Sequence, residues 1–281
     1  GLSPERAFRT GVYAATKVVA GDTMVFLPGD HSNSATIAAN VAGVTYTGIP
    51  SARRDSSARG PASGKRARTT ITSTATAGII FTVTATDVEI SHLHLAPAAA
   101  GGRGVSISAT GDRTYIHDCT ILLGGTASVT TYGVTLPAGV TADVTEDVLI
   151  SHCHIQSGLA ATSGANGAGV SILTTAHGLT IENSTFQLKG TAAWADAILS
   201  SSPGTLGLVV RDCDFINPTS ATTVITTAIN TTSQTVDGST QIHRCYVGAG
   251  TDGATASAMA DIVLTESFTA SSSGGTIILN G

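Results

Sequence analysis

Two histidines flank a cysteine in ISHCHI, residues 150–155, which sets His152, Cys153 and His154 side by side. Side chains of these types ligate zinc, or pair as thiol and imidazole in nucleophilic catalysis. A zinc site needs ligands that converge from a loop, as in Cys-x-x-Cys, and the four cysteines of the chain have no such spacing. The surrounding pattern decides between chemistry and structure. ISHCHI is one of six related stretches, with ISHLHL (90–95), IHDCTI (116–121), IENSTF (181–186), VRDCDF (210–215) and IHRCYV (242–247). Each reads apolar, polar, polar, small or apolar, variable, apolar. Their first positions lie 26, 34, 31, 29 and 32 residues apart.

Such periods mark a solenoid, whose repeats stack because none can bury its apolar face alone. The repeats carry a second strand upstream. GVSISATGDRTYIHDC and GVSILTTAHGLTIENS align without a gap, matching Val105 to Val170 and Ile116 to Ile181, and GVTL (133–136) and DAIL (196–199) repeat the theme. A weaker copy precedes the six around Tyr46, and a shortened one is expected over residues 262–268. Short alternating segments separated by Gly, Ser and Thr turns, with no helices between them, predict a parallel β-helix. The composition agrees, with 32 glycines, 12% charged and 4% aromatic residues in 281.

Alternation then gives each motif position a place. The first position points inward. The third is a corner, reading His92, Asp118, His152, Asn183, Asp212 and Arg244 through successive coils. Cations and acceptors alternate there, which predicts hydrogen bonding from coil to coil rather than a metal site. The His92/His94 pair lies two coils, about 10 Å, from the His152/His154 pair, too far to share one metal. The fourth position reads Leu93, Cys119, Cys153, Ser184, Cys213 and Cys245, so all four cysteines fall in one inward column. They read as buried, reduced thiols of the core.

The ends differ from the repeats. SPERAFRTGVYAATKVVAG (residues 3–21 with Asp22 following) predicts a capping helix over residues 1–21, with Ser3 as N-cap, Pro4 at its first position and Glu5 in its first turn. Phe8, Val12, Ala15 and Val19 would share its apolar face, laid over the open end of a β-helix domain spanning residues 22–281. DTMVFLPGDH (22–31) reads as a strand entering a turn. A basic insertion, residues 51–68, carries Arg53, Arg54, Arg59, Lys65, Arg66 and Arg68, six of the 14 basic residues, and has no large apolar side chain. It reads as a solvated loop, as a contact for an acidic protein surface, or as a nucleic-acid or polysaccharide contact; contact with another protein is the expectation. The net charge of −5 argues against nucleic acid as the main partner, and no apolar run is long enough to span a membrane.

No catalytic residue, cofactor or metal ligand is assigned. Glycoside cleavage needs two carboxylates facing across a sugar, whereas the 19 acidic residues are scattered and Glu146–Asp147 is the one adjacent pair of note. The run AGDTMVFLPGDHS, then VAGVTYTGI, then repeats such as VEISHLHL and LVVRDCDFI, resembles the right-handed parallel β-helix virion proteins of tailed bacteriophages, of the capsid-decoration or spike type. The resemblance covers nearly the whole chain. It implies a single-stranded solenoid without enzymatic activity, trimeric, bound to the major capsid protein or another virion subunit, with a surface glycan as a further ligand. It also implies assembly in the host cytoplasm and residence in the virion. The alternative is a tailspike or pectate-lyase-like protein that binds or cleaves polysaccharide.

Overall fold

The computed structural model describes residues 7–50, 68–74, 78–97, 101–123, 131–137, 145–157, 166–188, 194–201, 205, 207–216, 225–231, 240–248, 260–263 and 278–280. Within them the chain winds as a right-handed parallel β-helix. Three parallel sheets of nine, eight and eight strands run along the stack. The first coil shows the pattern: β1 (Thr23–Phe26) lies in the first sheet, β2 (Gly29–Asn33) in the second and β3 (Ile37–Ala39) in the third. The second coil begins with β4 (Thr45–Gly48), which pairs with β1, and continues with β5 (Thr69–Ser73), which pairs with β2.

The motif register is the one its spacing predicts. Ile90, Ile116, Ile150, Ile181, Val210 and Ile242 are successive partners in the first sheet and are all buried. The weak copy at Tyr46 joins the same column, pairing with Ile90. The column ends elsewhere than expected. Ile262 partners Ile229 in the third sheet, and Leu279 takes the place beside Ile242. A three-residue apolar segment looks alike in either sheet, and only the pairing tells them apart. In the third sheet Val105, Val134 and Val170 are successive partners, followed by Ile198, so the fourth copy of GVSI is Ala197–Ser200, one residue later than DAIL.

Two columns of left-handed backbone turn the chain at either end of each first-sheet strand. The predicted corner residues His92, Asp118, His152, Asn183, Asp212 and Arg244 have φ of 54°, 51°, 50°, 47°, 52° and 46°. Asn, Asp and His tolerate this region better than other side chains, which explains five of the six choices, all but Arg244. The second column precedes the strand and reads Gly21, Gly43, Asp87, Arg113, Asp147, Gly178 and Gly207. Corner amides donate across to the next coil, as His92 to the His117 carbonyl (3.3 Å) and Asp118 to that of Ser151 (3.2 Å), so the ladder of hydrogen bonds continues through the bend.

Alternation places one apolar column from each sheet inside. Ile71, Leu95, Ile121, Ile155, Phe186 and Phe215 come from the second sheet, and Phe186 stacks on Phe215 with centroids 5.1 Å apart. In the third sheet the coils approach so closely that a Cβ on Gly104 would lie 2.7 Å from the Gly133 carbonyl oxygen.

The N-terminal segment departs from its sequence pattern. The helix expected over residues 1–21 is one short element, α1 (Gly11–Ala15), whose N-cap is Thr10, with Oγ1 accepting from the Tyr13 amide at 3.2 Å. Residues 7–10 are not helical, and Ser3, Pro4 and Glu5 lie outside the described residues. Thr10 and Thr16 bond to the backbone at either end, and Val18 and Val19 are poor helix formers, so tertiary contacts decide the length. The buried face is accordingly Gly11, Ala14 and Ala15, laid against the first coil, while Phe8 and Val19 stand exposed.

Candidate functional site

The outward side chains of the first sheet carry most of the chemistry. Positions flanking the buried column place Glu89, Tyr115 and His117 on successive strands, beside the corner residues His92 and Asp118. His117 sits between two carboxylates, with Nε2 3.1 Å from Glu89 Oε1 and Nδ1 2.9 Å from Asp118 Oδ2. Tyr115 stacks on its ring at 4.1 Å, and His92 meets it edge-on at 5.6 Å. The imidazole is only 14% exposed, against 38% for Glu89 and 37% for Asp118. Burial pushes the Asp118 carboxyl up, but the His117 hydrogen bond and the nearby His92, His117 and His152 outweigh it and hold it below the usual range. One ring nitrogen faces Glu89 of the preceding coil and the other faces the neighbouring Asp118, and the first of these contacts ties two coils together. An acid or base poised for substrate would need one of those contacts free.

Further along, ion pairs repeat the arrangement. Arg113 reaches Asp87 with two hydrogen bonds, of 2.6 and 2.8 Å, between adjacent coils in the column that precedes the first-sheet strands. Arg244 does the same to Asp212, at 2.7 and 2.6 Å, in the predicted corner column. Arg211 pairs with Glu182 through Nε at 2.7 Å. The hydrogen bond from each arginine holds the Asp87 and Asp212 carboxyls below their ordinary range. The alternation of cations and acceptors in the corner therefore acts as predicted at Asp212 and Arg244. Asp147 is a corner residue too, with φ of 54°, and Glu146 ends a short strand, its carbonyl accepting from the Arg113 amide.

The cysteine column has a uniform environment. Cys119, Cys153, Cys213 and Cys245 are free thiols, each directed at the carbonyl of a column residue one coil back: Ile90, Ile116, Ile181 and Val210, at 3.7–3.8 Å. Ser184 holds the same place with its hydroxyl, accepting from the Cys153 amide at 3.1 Å. The hydrogen bond from Cys153 and complete burial push the Cys119 thiol well above its ordinary value, away from reactivity. Cys245, near the end of the stack, is half-buried rather than enclosed. Among the described residues no three His, Cys, Asp or Glu side chains gather as a metal site requires.

His94 and His154 share a second-sheet column, with Thr120 between them. His154 is bonded to Gln187 at 3.1 Å and Gln156 at 2.7 Å. His94 is buried, and desolvation, helped by the charge of Arg68, lowers its pKa to about 3.

Of the six basic residues singled out in the sequence, Arg68 is described. It is exposed, and its carbonyl accepts from the Gly29 amide at 3.1 Å, which anchors the end of the insertion to the first coil. Arg53, Arg54, Arg59, Lys65 and Arg66 lie outside the described residues. The Glu89–His117–Asp118 group was not singled out in the sequence. The signal was present in the two positions flanking each column residue, where polar side chains of consecutive coils must touch.

No family model matches the chain, and no curated protein matches it either. Among solved structures it is similar to a rhamnogalacturonan lyase (13% identity, TM-score 0.47, covering 93% of this chain and 62% of that one). It is also similar to a pectin methylesterase in complex with a hexasaccharide (13%, 0.40, 88% and 79%). A third is ORF18 of Geobacillus virus E2 (14%, 0.38, 85% and 54%).

Proposed function

We propose that this chain is a non-enzymatic structural protein of a tailed-phage virion, seated on the capsid exterior, where it stabilises the shell or presents the particle surface. The observation that carries the reading is the use made of the outward polar groups. Asp87 with Arg113, Glu182 with Arg211, Asp212 with Arg244, and Glu89 with His117 each join one coil to the next, and Asp118 holds the same imidazole from within its own coil. Side chains committed to such rungs stiffen a rod; they are not held ready for a substrate. The partner is the major capsid protein or another virion subunit, and the assembled form is a trimer. The basic segment 51–68 supplies contacts, with Arg53, Arg54, Arg59, Lys65, Arg66 and Arg68 pairing with carboxylates, where guanidinium forks bind best.

Purification of intact particles tests this: the chain should co-purify at fixed stoichiometry through a density gradient. Its absence from particles would overturn the reading. Replacing Arg53, Arg54, Arg66 and Arg68 together by Gln should weaken attachment most at low salt and leave the melting temperature nearly unchanged. Equal binding by variant and parent at low and high salt would assign the segment to solvent instead.

Polysaccharide cleavage is the second reading, and the Glu89–His117–Asp118 group is what favours it. Release of reducing ends from a host-surface polysaccharide, abolished by Glu89→Gln or His117→Ala, would replace the structural proposal.

A further inference from the structure

We propose that the protein docks end-on, burying the N-terminal end of its stack against an acidic protein surface, an inference that rests on the virion reading and adds which face is covered and by what chemistry. Among the described residues seven large apolar side chains stand exposed, and six belong to the N-terminal segment and the first two coils: Phe8, Tyr13, Val19, Val25, Leu27 and Ile49, at 37–64% exposure. A repeat protein that ends in solvent closes with a polar terminal repeat. Among the described residues the first coil instead carries exposed apolar side chains, and β1, β2 and β3 each have a neighbour on one side alone. Apolar side chains gathered at one end of an otherwise polar rod mark an interaction surface.

Charge selects the partner. Nine of the 14 basic residues but four of the 19 acidic ones fall within residues 1–68, giving that portion a surplus of five positive charges. The remaining 213 positions carry a surplus of ten negative charges. Among the described residues Arg9, Lys17 and Arg68 are exposed at this end, and Lys17 Nζ lies 5.0 Å from the centre of the Tyr13 ring. Positive charge concentrated in the first 68 residues favours an acidic surface as the partner of that part of the chain, and the negative surplus of the rest, the flank, repels such a surface. The same acidic flank argues against nucleic acid and anionic membrane as the covering surface.

A groove beside α1 gives the contact a polar anchor. It has a volume of about 410 Å³ and runs between Tyr13 and Thr16 of the helical segment and Ser32 to Ser34 of the first coil. Asn33 lines it, is 3% exposed, and has no hydrogen-bond partner for either atom of its carboxamide. Buried amides without partners are rare in folded proteins, because losing water without a replacement is costly. A carboxamide offers one acceptor and one donor group, which is the complement of a peptide unit. The carboxamide atoms are themselves enclosed, so the partner's main chain, on a loop of an acidic subunit, satisfies them when the groove opens on docking.

Particles from a phage deleted for this protein, mixed with the full chain and sedimented, provide the test. The triple variant Val25→Ser, Leu27→Ser, Ile49→Ser and the double variant Arg9→Glu, Lys17→Glu should each lose about tenfold or more in attachment. Tyr246→Ser, which removes the seventh exposed apolar side chain, at the far end, should bind like the parent. Asn33→Leu should melt higher than the parent when free yet attach more weakly, a combination that a purely structural asparagine would not give. If the parent binds and the N-terminal variants, folded by circular dichroism, bind as well, the docking face is wrong and the virion reading stands. If the parent does not bind, the virion reading falls and takes the docking face with it. Self-association of the parent that the triple variant abolishes would assign the face to a second copy, and would overturn the acidic partner.

Discussion

His94 shows at the scale of one residue how burial sets protonation. Enclosed in the second sheet and near Arg68, its imidazole stays neutral until about pH 3, whereas an unfolded histidine takes its proton near pH 6.5. Between these values the unfolded chain binds the extra proton, so stability falls as the pH falls through that window. His94→Gln should therefore flatten the pH dependence of unfolding between pH 6.5 and 3 by roughly 1.4 kcal/mol per pH unit, one proton's share. Denaturant titrations of parent and variant at several pH values measure this; parallel curves would mean that His94 is hydrated and titrates normally. The corner residues permit a second check. His152 has φ of 50°, with an exposed side chain. His152→Asn should leave stability nearly unchanged, while His152→Val should cost about 1–2 kcal/mol, because β-branched side chains clash in left-handed backbone.

The sheets behave as columns, so a change in one strand is felt by the coils on both sides. Ile150 is fully buried between Ile116 and Ile181. Ile150→Ala should destabilise by about 2–5 kcal/mol, the range for losing a packed aliphatic side chain and leaving a cavity. Gly104→Ala acts by the opposite mechanism. Its new Cβ would press on the Gly133 carbonyl at 2.7 Å and on Ile121, and backbone cannot retreat without breaking the ladder. A loss of about 1–3 kcal/mol is expected, and an unchanged unfolding midpoint would show that the third sheet has slack.

At the scale of the whole molecule, a stack of coils transmits stability only to its neighbours, so its ends are its weakest part. The thiols report on this directly. Cys119, Cys153 and Cys213 are buried and Cys245 is partly exposed. One thiol per chain, Cys245, should react with a labelling reagent in native conditions, and all four after denaturation. Rapid native labelling of Cys119 or Cys153 would mean that the middle of the stack opens locally.

The sequence by itself determined the repeat, the inward column from Ile90 to Ile242, the corner at His92 and its successors, and the gathering of the cysteines, because each follows from a period of two within a coil and a fixed motif between coils. The fold was legible for that reason: identical positions in adjacent coils are neighbours, so a one-dimensional pattern already states the contacts. Tertiary structure decided what the period does not encode. It assigned Ile262 to the third sheet and Leu279 to the first, since a short apolar segment fits either until its partner is known. It cut the N-terminal helix to Gly11–Ala15, because threonine caps and packing on the first coil outweigh a favourable start signal. It brought Glu89, His117 and Asp118 together, and left Asn33 buried without a partner, because side-chain contacts between coils depend on register to the single residue.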